Sequence, residues 1–89
     1  MNARDWGSEL LTRHREVLTP AQVADFEAYD RDGEGWLAAY DLFRDGVDDN
    51  WLTRDELAEA LALARSNQFS TMSSEAERIA LGAIKASVD

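Results

Sequence analysis

Residues 30–41 read Asp30-Arg31-Asp32-Gly33-Glu34-Gly35-Trp36-Leu37-Ala38-Ala39-Tyr40-Asp41, and two arrangements of the chain compete for this stretch. In the first it is a loop. Asp30, Asp32 and Glu34 alternate, which aims three oxygen ligands at one point. Gly35 stands sixth, where such a loop turns sharply; Trp36 offers its carbonyl, Leu37 faces a core and Asp41 closes the set at the twelfth position. A hard cation such as Ca²⁺ takes about 6–8 oxygens, and this spacing can supply them. The second arrangement needs no metal. Trp36, Leu37, Tyr40 and Phe43 lie at helical spacing, Gly46 with Val47 ends that helix as a C-cap, and Asp30 to Gly35 is an acidic turn.

The flanking sequence predicts an all-α fold, a small domain of four to five helices. Residues 5–18 carry Leu10, Leu11, His14, Val17 and Leu18 along one stripe of an amphipathic helix. Thr19-Pro20-Ala21-Gln22 restarts the chain, with Thr as N-cap, Pro in the first turn and Gln three residues past the cap. That second helix runs to about Tyr29. Thr53-Arg54-Asp55-Glu56 is another capping box, opening a helix to about Ser66 with Leu57, Ala60, Leu61 and Ala64 on one face. Ser74-Glu75-Ala76-Glu77 is a third, opening a last helix over 75–88. Ser66 to Ser73 reads as a loop pinned by Phe69 and Met72. One domain spans 1–89, divided as an N-terminal helix (1–18), a central region (19–66) and a C-terminal helix (74–89). The last helix is apolar on most sides, which predicts burial between other helices; a homodimer surface is the alternative.

The loop arrangement of residues 30–41 resembles the EF-hand family, the calmodulin-like calcium-binding proteins. Leu18 to Phe26 is similar to the start of an EF-hand entering helix, with Phe26 and Tyr29 placed as that family places aromatics. Residues 45–56 form a weaker second copy: Asp45 matches Asp30, Asp49 matches Glu34, Trp51-Leu52 matches Trp36-Leu37 and Glu56 matches Asp41. The resemblance covers residues 18–61. It implies metal ligation by Asp30, Asp32, Glu34, Trp36 and Asp41, and in the second loop by Asp45, Asp49, Trp51, Thr53 and Glu56, with Leu37 facing Leu52. The implied ion is Ca²⁺, with Mg²⁺ the alternative because Asp41 is one methylene shorter than the family's glutamate. Val47 replaces a ligand in the second loop, and Asn50 stands where the family has glycine. Only Leu42, Phe43 and Arg44 separate the loops, so one shared helix of ~10 Å over Ala38–Arg44 must serve both.

Charge sets the second functional expectation. The chain of 89 residues has a net charge of −9, and between Asp25 and Glu59 there are twelve acids against three bases. The whole imbalance falls in those 35 residues. A cation, a basic partner or a solvated face offsets repulsion of this density. Asp25, Glu27, Asp48, Asp49, Asp55 and Glu59 are the candidate partner contacts. The corresponding function is an acidic inhibitor, antitoxin or nucleic-acid mimic docking on a basic surface without metal. So acidic a chain is a poor ligand for nucleic acid or anionic lipid.

Catalysis has little material to work with. There is no cysteine, one histidine and one lysine, which leaves few groups for acid–base chemistry near neutral pH. The reading is therefore a non-enzymatic protein acting through a protein partner. No apolar run approaches the ~20 residues of a membrane span, and the first residues lack a signal-peptide pattern, so the expected location is cytoplasmic. Fourteen alanines and eight arginines point to a GC-rich bacterial or phage genome.

Overall fold

A computed structural model describes residues 1–87, and over that span the fold is all-α. Five helices follow one another: α1 (Ala3–Arg13), α2 (Pro20–Arg31), α3 (Gly35–Asp48), α4 (Arg54–Arg65) and α5 (Ser73–Ala86), with a 3-10 turn over Ser70–Met72. No strand occurs among the described residues. Val88, which the sequence placed at the end of the last helix, lies outside them.

The helix starts are set locally. The Asn2 side chain caps α1 by accepting from the Asp5 amide at 2.8 Å. Thr19 and Gln22 close the expected capping box on α2, and Thr53 and Glu56 close the one on α4. The third expected cap is corrected: α5 begins at Ser73, and the Ser73 hydroxyl accepts from the Phe69 amide at 3.1 Å instead. The first helix is also shorter than the periodicity suggested, because the chain leaves the helix at His14.

Three helix ends share one device. After α2, Gly33 adopts φ +79°, the Glu34 amide donates to the Tyr29 carbonyl and the Gly33 amide to that of Asp30. After α3, Asn50 has φ +59° and the Trp51 amide reaches Gly46; after α4, Asn67 has φ +57° and the Gln68 amide reaches Leu63. These are left-handed caps that satisfy the last carbonyls of each helix, with glycine or asparagine at the residue that must take positive φ.

The first of these caps accounts for residues 30–35. Asp30 and Arg31 belong to the last turn of α2, Asp32 is its C-cap, Gly33 makes the reversal and Glu34 starts α3. Helix α3 then runs through Gly46 and Val47 to Asp48. It is twice as long as the Ala38–Arg44 helix expected between two loops, and Gly46 is inside it rather than at its cap. Burial explains the length: Ala38, Ala39, Leu42, Phe43 and Gly46 all face inward.

Helix α3 is the central element and packs on α1, α2 and α5. The α1–α3 crossing is close, since a methyl group added at Gly7 would stand 2.7 Å from the Ala39 methyl. Trp6, Phe43 and Phe69 form the aromatic centre, with ring centroids 6.1–6.2 Å apart in each pair. Phe69 comes from the connection before α5, so the loop expected to be pinned there is pinned by a fully buried ring. Helix α5 differs from expectation. It buries Ser73, Ala76 and Ala80 on one face and leaves Arg78, Leu81, Gly82 and Lys85 outside.

Candidate functional site

The carboxylates of residues 30–41 separate into two places. Asp30 is held by Arg4 of α1, whose guanidinium spans both carboxylate oxygens at 3.0 Å each. That fork lowers the Asp30 pKa from the ordinary carboxylate value. Asp32 and Glu34 are exposed at the helix junction, and Trp36 is half-buried in the first turn of α3. Asp41 is two turns past Glu34 along α3 and lines a different groove from Asp30.

The second set is spread as well. Asp45 shares the groove with Asp41. Asp49 is the exposed C-cap of α3. The Trp51 ring packs against His14, tilted by 40° at a centroid distance of 4.5 Å. Thr53 and Glu56 are committed to the α4 cap, with the Thr53 amide donating to Glu56 Oε1 at 2.9 Å and the Glu56 amide to Thr53 Oγ1 at 3.1 Å. His14 Nε2 lies 2.9 Å and 3.0 Å from the two carboxylate oxygens of Glu56, and an Arg13 N–H donates to it at 3.3 Å. Among the described residues no three or more His, Asp or Glu side chains are grouped as a metal ion would need them.

What the fold does bring together is a groove of about 300 Å³ between α2 and α3. Its walls carry Asp25 from α2 and Asp41, Asp45 and Asp48 from α3, over Phe26, Ala38 and Leu42, with Tyr29 at the rim. Positions 41, 45 and 48 lie one helical turn apart and so share a face. Burial raises the pKa of Asp41 and of Asp45. Gln22 opposes the rise at Asp45, whereas Asp41, Asp49 and Asp48 add to it. Among the described residues none of the four aspartates enters a salt bridge within the molecule. Arg44, the one cation lining the groove, has its guanidinium 5.9 Å from the centroid of the Tyr40 ring.

Of the candidate partner contacts, Asp25 and Asp48 are in this groove, while Glu27, Asp49 and Asp55 are exposed outside its lining. Glu59 accepts from the Trp6 indole N–H at 3.2 Å and has Arg13 at 4.0 Å. The pairing of Asp41 with Asp45 had a sequence signal, the i, i+4 spacing. Reading each residue as a loop ligand hid it. No family model matches the chain, and neither a curated protein nor a solved structure matches it.

Proposed function

We propose that this is a small acidic module that acts by docking on a basic surface of a partner protein, with the α2/α3 groove as its contact. One observation carries the reading: four aspartates line one concave surface, burial raises the pKa of two of them, and among the described residues none of the four has a salt bridge. Such an arrangement suits a guanidinium or ammonium group from outside, whose alkyl stem lies over Phe26 and Leu42. The role is binding, not catalysis. Among the described residues no helix is long and apolar enough to cross a membrane.

A second reading keeps the EF-hand-like proposal. Asp30, Asp32 and Glu34 stand at one helix–helix corner around Gly33, and a divalent ion there competes with Arg4 for Asp30. One experiment separates the two. A labelled helical arginine–leucine peptide is titrated at low and high salt, with and without Ca²⁺ or Mg²⁺, against the wild type, Asp41→Asn/Asp45→Asn and Asp30→Ala. Docking predicts binding that weakens with salt, ignores Ca²⁺ and is lost in the groove variant alone. Saturable Ca²⁺ binding, seen by tryptophan emission and lost in Asp30→Ala, favours the metal reading. A groove variant that binds the peptide as the wild type does overturns the first.

A further inference from the structure

The outer face of α5 complements the α2/α3 groove of the same molecule. Between Ser74 and Lys85 its exposed positions are Ser74, Arg78, Leu81, Gly82 and Lys85, and the two cations among them are Lys85 and Arg78, the latter also paired with the half-buried Glu75 one turn back. Ser74, Arg78, Leu81 and Lys85 stand three or four residues apart and form one stripe, with Gly82 beside Leu81. Leu81 is 43% exposed, and at Gly82 an added methyl group would touch nothing within 4 Å, so another backbone can approach closely. The groove carries the opposite charge and its own apolar contact, since Tyr29 is 36% exposed at its rim. Leu81 and Tyr29 are two of only four large apolar side chains exposed among the described residues. Each complementary surface holds one of them.

The two surfaces also adjoin. Arg44 and Asp48 line the acidic groove and also the cleft between α3 and α5 that Arg78 and its partner Glu75 line. An acidic groove beside a stripe that presents Arg78 and Lys85 matches its own image after rotation about a two-fold axis, the relation that closed dimers use. We infer that two copies of the chain pair about such an axis, the Arg78–Leu81–Lys85 face of each lying against the Asp25/Asp41/Asp45/Asp48 groove of the other. The inference rests on the docking reading, because it fills the same groove, and makes self-pairing compete with a basic partner for it.

Sedimentation velocity over a wide concentration range at low and high salt tests it, using the wild type, Asp41→Lys/Asp45→Lys and Arg78→Glu/Lys85→Glu. The wild type is expected to dimerise at low salt and to dissociate as salt rises. Each variant alone places like charges against like, weakening pairing by about tenfold or more. Mixing the two variants restores opposite charge at both contacts, so a one-to-one dimer returns, which also shows that both are folded. A wild type that stays monomeric overturns the inference, as does a dimer indifferent to the charge reversals or a mixture without rescue. If the wild type is monomeric yet binds the arginine–leucine peptide through the groove, self-pairing fails and docking stands; loss of both removes both.

Discussion

Glu56 shows how one buried carboxylate is kept charged. Burial pushes its pKa up, but the Thr53 amide, His14 and Arg13 pull it down further, and the net shift is downward. A lowered folded pKa contributes stability above the unfolded value, and that stability is lost as pH falls through the folded pKa. Glu56→Gln keeps the shape but removes the charge that faces Arg13 and His14. It is expected to cost about 2 kcal/mol in urea unfolding at pH 7. The gap should narrow as pH falls below 4.5, the ordinary value for glutamate. A gap of equal size at pH 7 and in acid would mean that Glu56 acts through packing and the cap alone.

At the scale of the element, α3 carries both the densest core face and the acidic groove. Its inward residues bury against α1 and α2, and the register that buries them sets Asp41, Asp45 and Asp48 along the groove. Asp41 and Asp45 have raised folded pKa values, so their sign is opposite to that of Glu56. The stability they contribute is present below the unfolded carboxylate value and is lost as pH rises through the folded pKa. Asp41→Asn/Asp45→Asn is therefore expected to raise Tm at pH 7 by roughly a few degrees, with the gain fading as pH falls into the carboxylate range. A thermal scan of both proteins at neutral and acid pH reads it directly. Residues that weaken the fold while serving a contact are common at functional surfaces, and unchanged or lowered Tm would remove that support for the groove.

For the molecule as a whole, the α1–α3 part and the α4–α5 part meet over aromatic rings, with the Trp6–Glu59 and Arg13/His14–Glu56 contacts beside them. Phe69, from the connection between α4 and α5, is fully buried against Trp6, Tyr40 and Phe43, which come from α1 and α3. Phe69→Ala is expected to cost about 3–5 kcal/mol, a large share of the roughly 5–15 kcal/mol that holds a domain together. Chemical denaturation with near-ultraviolet dichroism measures it. A loss below about 1 kcal/mol would mean that the two parts do not depend on one common core.

The readable features of this chain were those whose physics is local. Capping at Thr19 and Thr53 joins residues three apart, and the apolar spacing of Leu57, Ala60 and Ala64 already marks the buried face of α4. The all-α class followed from such signals. Residues 30–35 were ambiguous because one alternation of acids with glycines satisfies either a ligand loop or a helix end. The left-handed cap at Gly33, together with burial of the α3 face behind it, makes the stretch a helix end here. Contacts between distant residues gave no comparable signal. Arg4 meets Asp30 across 26 positions, His14 meets Glu56 across 42 and Trp6 meets Glu59 across 53. Each depends on how whole helices cross, and amphipathic periodicity gives the face a helix buries without naming the helix that covers it. The groove is of the same kind: its acids were visible as charge, and only the packing of α2 beside α3 turned them into one concave surface.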